Sequence, residues 1–425
     1  MDVRELLRYT VEQGASDLHL KAGNVPFIRV DGELQPTSFP KLSPGDTEFA
    51  ADQLMPEHKK REFLANNESD LGHTEPGIGR FRINVYRQRG VVGLALRRVR
   101  SDIPTFEELR LPPVMRTLAD SARGLILITG PTGTGKTTTI AAMIGHINNT
   151  RRAHIVTIED PIEVVHEDSL SLIQQREIGL DTDSYGSALK HVIRQDPDVI
   201  FVGEIRDQAT AETAAQASLT GHLVLATVHA NDAVGSVRRF LDLGLDAATI
   251  SETLRGALAQ RLLRTLCTDC AQPIEGDLSP EEAVLAKRFG AQPVMRAAGC
   301  DQCGGSGYRG RRHVVEMILP TQELLKMVAA EAAHMDLMVR AREDGMRSML
   351  EGALDLVAEG LTTLAEVERV IGEEAAGASA TSEPVAQPTS PSPAPPHEEP
   401  TPPQAAPPAP EPAPPQAAAP PPQPA

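Results

Sequence analysis

The stretch that most constrains this chain runs from Gly124 to Asn148 and reads GLILITGPTGTGKTTTIAAMIGHIN. Residues 125–129 form a short, β-branched apolar run between glycines, which is typical of a buried parallel strand. Ile140, Ile144 and Ile147 then recur at helical spacing and give one apolar face. We therefore predict a strand, a glycine-rich loop and a helix, in that order.

The loop between this strand and helix has the spacing G-x-x-x-x-G-K-[ST]. Its backbone N–H groups and the helix N-terminus are expected to hold phosphate oxygens. Lys136 is predicted to reach the β and γ phosphates of ATP, and the Thr137 hydroxyl to bind Mg²⁺. A chance glycine turn would not require the flanking strand and helix. The predicted nucleotide-binding residues of the loop are Gly130, Pro131, Thr132, Gly133, Thr134, Gly135, Lys136, Thr137 and Thr138.

Acidic residues follow two further apolar runs that are predicted to be strands. Residues 153–158 lead into the sequence EDPIE, which ends at Glu163, and residues 199–202 lead into Gly203-Glu204. Parallel strands deliver their carboxyl ends to one edge of a sheet, where ligands bind. Glu163 and Glu204 are therefore the candidates for holding Mg²⁺ and for polarising water near a γ-phosphate. Helix capping is the alternative for Glu159 or Asp160, but it does not account for all four acids.

A histidine follows the last of these predicted strands, residues 223–228. His229 would lie on the same edge of the sheet, where it is a candidate sensor of the γ-phosphate. A hydrogen-bonded core histidine is the alternative, and position alone leaves both open. Strands that alternate with helices here predict an α/β domain with a parallel sheet.

Four cysteines form two C-x-x-C pairs, Cys267 with Cys270 and Cys300 with Cys303. Two such pairs can close a tetrahedral Cys₄ site for a structural Zn²⁺ ion. The gap between the pairs is longer than in zinc ribbons, so we predict an inserted helix near residues 280–289. Four free thiols are the alternative.

The domain boundaries are predicted from changes in composition. Residues 1–100 indicate an α+β domain with a hairpin turn at Asp31-Gly32. The alternating run at 80–87 places Arg80, Arg82 and Asn84 on one face of a sheet, and the simplest interpretation of that face is a solvated surface. Residues 101–113 indicate a proline-rich linker, residues 114–372 the nucleotide domain, and residues 373–425 a Pro/Ala-rich tail expected to be disordered.

Charge and hydropathy exclude several classes of protein. The net charge of −17 argues against nucleic acid as a direct partner. No apolar run approaches the roughly 20 residues of a membrane span, and the N-terminal stretch does not read as a signal peptide. We therefore expect a cytoplasmic protein that contacts the inner membrane only through partners.

Taken together, these blocks resemble the secretion ATPase superfamily, which includes the type II secretion ATPases (GspE-like) and the type IV pilus motors (PilB- and PilT-like). The resemblance covers roughly residues 2–372. It rests on ASDLHL at 15–20, similar to the opening of the family's PAS-like domain, and on TIEDPIE at 157–163, RQDPD through EIRD at 194–207 and GHL through TVH at 221–229.

The resemblance implies a homohexamer that couples ATP hydrolysis to the dynamics of a pilin-like filament, docked on an inner-membrane platform protein. It also implies that Glu163 is the catalytic carboxylate, that Glu204 supports Mg²⁺, and that Arg82 and Arg97 contact phosphate. The residues do not decide to which branch of the superfamily the chain belongs. The start of the chain resembles PilT-like retraction motors, whereas the cysteines and the blocks at 253–262 and 307–311 resemble PilB and GspE.

Three other hypotheses remain. The first is a retraction motor of the same family, and the second is a non-motor ATP-dependent regulatory or adaptor protein that recruits partners through its tail. The third, a nucleic-acid translocase, is opposed by the charge. Turnover of ATP separates a motor from an adaptor, and stimulation of that turnover by nucleic acid would favour a translocase.

Overall fold

The chain begins with an antiparallel sheet packed against three helices. A computed structural model describes residues 2–30, 33–99 and 101–379. The first elements are α1 (Val3–Glu12), β1 (Asp17–Lys21), β2 (Phe27–Val30), β3 (Glu33–Pro36), α2 (Pro44–Leu54), α3 (Glu57–Asn66), β4 (Glu68–Glu75), β5 (Gly79–Gln88) and β6 (Val91–Arg98).

Within the described residues this sheet has six strands in the order β3-β2-β1-β6-β5-β4. β2 and β3 pair up to Val30 and Glu33, as the predicted hairpin requires, while Asp31 and Gly32 themselves lie outside the described residues. Alternation along β5 buries Phe81, Ile83 and Val85 in the domain core. The other face of β5 therefore carries Arg80, Arg82 and Asn84, as predicted.

The segment predicted to be a linker contains regular structure that packs on the second sheet. Thr105 caps the short helix α4 (Phe106–Leu109) through a capping box with Glu108. Phe106 and Leu111 are buried in the same cluster as the strand residue Ile126. Arg110 ends α4 in the left-handed conformation, and the prolines at 112 and 113 lead into α5 (Val114–Ala119).

A second sheet follows, built from alternating strands and helices. Its elements as far as the cysteines are β7 (Gly124–Thr129), α6 (Lys136–Thr150), β8 (His154–Glu159), β9 (Leu172–Glu177), α7 (Tyr185–Val192), β10 (Val199–Val202), α8 (Gln208–Leu219), β11 (Leu223–Val228), α9 (Ala233–Asp242), α10 (Ala247–Thr253) and β12 (Leu254–Leu266). Every residue of β7, β10 and β11 is buried, which explains why these strands are continuous apolar runs.

The cysteine region and the C-terminal helices complete this domain. They comprise β13 (Gln272–Pro273), α11 (Pro280–Phe289), β14 (Met295–Arg296), a 3₁₀ turn (Asp301–Cys303), β15 (Tyr308–Ile318), α12 (Gln322–Ala329), α13 (His334–Glu343), α14 (Met349–Ala358) and α15 (Leu364–Ser379). Helix α11 has the bounds predicted for the inserted helix.

The second sheet has the strand order β15-β12-β7-β11-β10-β8-β9 within the described residues. The strands from β12 to β9 run parallel, whereas β15 pairs antiparallel with β12. The predicted parallel sheet is therefore mixed at one edge, because the chain leaves β12, passes through the cysteine region and returns as the antiparallel strand β15. The loops after β7, β8, β10 and β11 meet at one edge.

The last helix of the domain extends beyond the predicted boundary at residue 372. Helix α15 continues past Gly372 to Ser379, and Val367 and Ile371 are buried against the sheet core. The Pro/Ala-rich segment from residue 380 onward, predicted to be disordered, lies outside the described residues. Among the helices that the structure describes, none is long and apolar enough to cross a membrane.

Candidate functional site

The loop after β7 folds tightly because its glycines adopt conformations that other residues avoid. Gly130 has φ +141°, and a Cβ there would lie 2.6 Å from the Gln260 carbonyl oxygen. Gly135 has φ +87°, and a Cβ there would lie 2.7 Å from His313 Nε2. The two glycines thus let the loop lie directly on β12 and β15 before α6 begins at Lys136.

A buried glutamine on β12 supports this loop from below. Gln260 Nε2 donates to the Thr134 carbonyl oxygen at 2.8 Å, and Gln260 Oε1 accepts from the Thr139 hydroxyl at 3.0 Å. Gln260 is fully buried, so both bonds are sheltered from water. Gln260 was not among the site residues predicted from the sequence. A lone amide inside the apolar run of β12 was the available signal.

Lys136 places its ammonium group in the cleft beside the glycine loop. Its ammonium donates to the carbonyl oxygens of Gly130 at 2.8 Å and Pro131 at 3.0 Å. Burial lowers the pKa of Lys136, and the carboxylates of Glu204 and Glu163 partly oppose that shift. The ammonium is therefore held by the loop itself and electrostatically coupled to the acids at the strand ends.

The strand ends and the loop line one cleft of about 560 Å³. Most of the predicted site residues meet there, as do side chains that the sequence analysis did not single out. The cleft is lined by Thr132, Gly133, Gly135, Lys136, Thr137, Thr138, Glu159, Asp160, Pro161, Glu163, Tyr185, Phe201, Gly203, Glu204, Arg206, Thr227, His229, Leu262 and Arg311. Within the sheet's parallel core, loops distant in sequence thus converge on one volume.

Glu204 is held between cationic groups. Arg206 donates to its Oε2 at 2.5 Å, and His229 Nε2 lies 2.7 Å from its Oε1. Burial raises the pKa of Glu204, but the Arg206 hydrogen bond and the charges of His229, Arg206 and Lys136 outweigh it and hold the pKa below its usual value. Glu204 is thus a carboxylate at neutral pH, and His229 stands at the strand end in contact with it.

Two other acids of the cleft have contrasting environments. Glu159 is buried, accepts from the Thr157 hydroxyl at 2.6 Å and from Gln175 at 3.1 Å, and burial raises its pKa. The Glu163 side chain is 51% exposed and opens toward the cleft. Glu159 is thus fixed within the β8 and β9 ends, while Glu163 is accessible to a water molecule in the cleft.

The two predicted phosphate-contacting arginines lie on the first sheet and differ in their partners. Arg82 Nη1 lies 4.0 Å from Glu163 Oε1, which brings it to the rim of the cleft. Arg97 Nε donates to Asp17 Oδ1 at 2.8 Å. Both line a neighbouring cleft of about 570 Å³ that Asp160 and Pro161 share with the first. The structure thus brings Arg82, but not Arg97, to a residue of the nucleotide cleft.

The four cysteines converge as their spacing predicts. The sulfur atoms of Cys267 and Cys300 are 4.0 Å apart, those of Cys270 and Cys303 3.8 Å, and those of Cys300 and Cys303 3.7 Å. Four thiolates at about 2.3 Å from one tetrahedral Zn²⁺ would be about 3.8 Å apart. Backbone N–H groups of Cys300 and Gly307 lower the pKa of Cys303 to about 6. The arrangement fits a closed metal site with no open position.

Comparison with known proteins places this fold and cleft in a family. The family model of type II/IV secretion system proteins matches residues 104–369. A type IV pilus ATPase, PilU of Pseudomonas aeruginosa, is 36% identical over 366 residues, which are 85% of this chain and 87% of that protein. The type II secretion system ATPase E of Vibrio cholerae is 42% identical over 261 residues, 61% of this chain and 50% of that protein.

A solved structure resembles the described fold as well. The crystal structure of the pilus retraction motor PilT with bound ADP superposes with a TM-score of 0.71 at 36% identity, and the match covers 87% of this chain and 96% of that one. Both the first sheet and the second lie within such a match. The chain is therefore a member of the type II/IV secretion system protein family and an ATPase of its pilus and secretion type.

Proposed function

We propose that this chain is the Mg²⁺-dependent ATPase motor of a type IV pilus or type II secretion machine. The observation that carries the proposal is the single cleft in which the glycine loop, Glu163, Glu204 and His229 meet. Phosphates would be held by the loop amides and Lys136. Glu163, exposed to the cleft, would polarise the attacking water, and His229 would sense the γ-phosphate through its contact with Glu204.

The donors present fit the two metal ions that this function implies. Thr137 and Glu204 line the same cleft and are hard oxygen ligands of the kind that Mg²⁺ prefers, directly or through water. Mg²⁺ supplies charge neutralisation between phosphate oxygens. The cysteine cluster would hold a structural Zn²⁺, because its four sulfurs lie within 4.8 Å of one another.

We further propose that the chain works as a homohexamer that docks on an inner-membrane platform protein from the cytoplasmic side. The side chains of Arg82 and Arg97 in the neighbouring cleft are 43% and 70% exposed. This exposure supports the proposal, because it leaves both arginines accessible to a second copy of the chain. Mass measurement with Mg²⁺ and a non-hydrolysable ATP analogue tests the assembly. A monomer at every nucleotide concentration would argue against a ring.

Pilus retraction is the second candidate function. It is favoured by the similarity to PilU and to the PilT structure, which extends over both sheets. The paired cysteines instead resemble those of PilB and GspE and so favour pilus assembly or secretion. Whether the motor extends or retracts a filament therefore needs a cellular test. The ATPase chemistry is the same in both cases.

The site assignment is tested by replacing the loop lysine. Lys136→Ala should lower the turnover of ATP by about 10³-fold or more and weaken nucleotide binding, because the loop then lacks its cation. Lys190→Ala, on the exposed face of α7, is the matched control and should keep wild-type turnover. Phosphate release and nucleotide titration measure both quantities, and wild-type rates in Lys136→Ala would reject the assignment.

The cellular role is tested by deleting the gene in its host and counting surface pili and secreted proteins. Complementation uses the wild type and Glu204→Gln. Loss of filaments or of secretion would support assembly, whereas excess pili without twitching motility would support retraction. An unchanged surface together with measured ATP turnover would leave the motor proposal rejected and favour a regulatory protein.

A further inference from the structure

Strand β5 of the first sheet reaches the second sheet with two arginines from the same face. Arg80 and Arg82 are two positions apart, so their side chains point the same way. Arg82 approaches Glu163, as described above. Arg80 instead forms a buried ion pair with Glu177 at the end of β9, with Arg80 Nη2 donating to Glu177 Oε2 at 2.6 Å.

This ion pair is shielded from solvent on both sides. The Arg80 side chain is 11% exposed and that of Glu177 is 6% exposed. A Cβ at Gly72 on the neighbouring strand β4 would lie 2.5 Å from Arg80 Nη2 and 2.8 Å from Glu177 Oε1. Any side chain at this position would therefore have to displace one of the two paired groups. A buried charge that loses its partner is strongly unfavourable, which makes the pair sensitive to either substitution.

Glu177 also holds the segment that carries the proposed catalytic carboxylate. The same oxygen, Oε2, accepts from the Ile162 backbone N–H at 3.1 Å. Ile162 is buried and directly precedes Glu163. The backbone N–H of Glu177 is in turn fixed by Asp181 Oδ2 at 2.8 Å. Arg80, Glu177 and Ile162 thus form a continuous hydrogen-bonded chain from the first sheet to the residue beside Glu163.

We propose that Arg80 and Glu177 are positioning residues that hold the 160–163 segment in register with the glycine loop, so that the first sheet sets the place of Glu163. The assignment rests on the proposed function, in which Glu163 polarises the attacking water. When Arg80 is absent, Glu177 loses this ion-pair partner and turns toward solvent, so Ile162 loses its acceptor. Glu163 then leaves the position in which it serves the cleft.

Two readouts test this role. Arg80→Ala and Glu177→Ala should lower kcat by about tenfold or more and change the KM for ATP by less than about threefold, since the loop that holds phosphate stays intact. Hydrogen exchange of peptides that cover residues 160–166 should become about tenfold faster in both variants. Arg80→Lys, which keeps the charge, should recover part of kcat and of the protection.

Arg87→Ala is the matched control on the same strand. Arg87 lies over the Phe63 ring at 5.2 Å and donates to the Gly90 carbonyl oxygen at 3.3 Å, both within the first domain. This variant should keep both kcat and exchange at wild-type values. Glu177→Gln is a milder second variant, because its amide oxygen still accepts from Ile162, and it should fall between the wild type and Glu177→Ala in both readouts.

The outcomes separate this inference from the proposed function. Unchanged exchange at 160–166 in folded Arg80→Ala or Glu177→Ala would overturn the positioning role, whether or not the protein hydrolyses ATP. Faster exchange with an unchanged kcat would overturn the link to Glu163. Absence of turnover in the wild type would reject the proposed function alone, and the exchange measurement would still decide the contact.

Discussion

At the scale of single residues, Glu204 is the acid that the cleft prepares most completely. Arg206, His229 and Lys136 hold its pKa below the usual value, so protonation does not remove its charge near neutral pH. Glu204→Gln keeps the shape and removes the charge. We expect ATP to stay bound while hydrolysis falls by about 10²-fold or more.

The measurement for Glu204→Gln is single-turnover hydrolysis together with the fraction of nucleotide that remains bound as ATP. Glu212→Gln is the control, because Glu212 lies on α8 and accepts from Gln208 of the same helix at 2.8 Å. Hydrolysis at the wild-type rate in Glu204→Gln would contradict the role of the carboxylate, and loss of binding would assign it to affinity rather than to chemistry.

Glu366 carries a pH dependence of stability. Arg369 and Arg264 both donate to its buried carboxylate, and although burial opposes the shift, these bonds lower its pKa to about 2 from 4.5. Because the folded pKa is depressed, the stabilisation is full above pH 4.5 and is lost as pH falls toward 2. Glu366→Gln should lower the free energy of unfolding by about 1–3 kcal/mol at neutral pH, since the half-exposed arginines are partly screened.

Denaturant unfolding at pH 7 and at pH 3 measures this effect. The difference between the wild type and Glu366→Gln should shrink at the lower pH. Glu323→Gln, which removes an exposed partner of Lys326, should leave stability close to the wild-type value at either pH, because water screens this ion pair. A difference for Glu366→Gln that grows toward acid would contradict the assigned sign.

At the scale of elements, the cysteine region is a small unit tied to the last helix. Arg288 of α11 donates to Glu368 at 2.6 Å and to the Gly372 carbonyl oxygen at 2.8 Å. The backbone N–H of Leu266 donates to the Leu361 carbonyl oxygen at 2.8 Å. The cysteine region thus contacts α15 through Arg288 of α11. We therefore expect loss of a metal ion from the four cysteines to destabilise this end of the domain.

Metal analysis should find about one zinc per chain. Cys303→Ser, or a chelator added to the wild type, should release it and lower Tm by about 5 °C or more, because binding free energy adds to folding free energy. Glu281→Gln on the first turn of α11 should keep both zinc and Tm. A folded, metal-free wild type whose Tm is indifferent to added zinc would reject the site.

At the scale of the whole molecule, helix α15 runs past the predicted boundary at residue 372 to Ser379. Val367 and Ile371 of this helix are buried in the domain core, whereas the chain beyond Ser379 has a composition with few groups to bury. Truncation after Ser379 should therefore keep ATP turnover within about twofold of the full chain. Truncation after Thr363 removes α15 and should lower Tm.

Turnover and Tm of the two truncated chains, measured beside the full chain, check this expectation. Lost turnover with an unchanged Tm in the Ser379 truncation would mean that residues 380–425 act on the ATPase. A Thr363 truncation as stable as the full chain would contradict the packing of α15.

Much of the candidate site was predicted from the sequence, because its chemistry is local. Three short-range patterns predict the local geometry: the spacing of the glycines with Lys136 and Thr137, the acids that follow apolar strands, and the paired cysteines. Parallel strands bring their carboxyl ends together whatever their order, so Glu163, Glu204 and His229 were expected at one edge, and the structure places them in one cleft.

Only the tertiary structure decided the rest. The antiparallel edge strand β15, the glutamine under the loop and the ion pair of Arg80 with Glu177 join residues that are far apart in sequence. The same holds for the different partners of the two predicted phosphate-contacting arginines, since Arg82 lies near Glu163 and Arg97 pairs with Asp17. The sequence by itself determined which local groups could bind a nucleotide, since those depend on spacing within single loops. Which groups face them from other elements depends on strand order and domain packing, and no local pattern encodes that order.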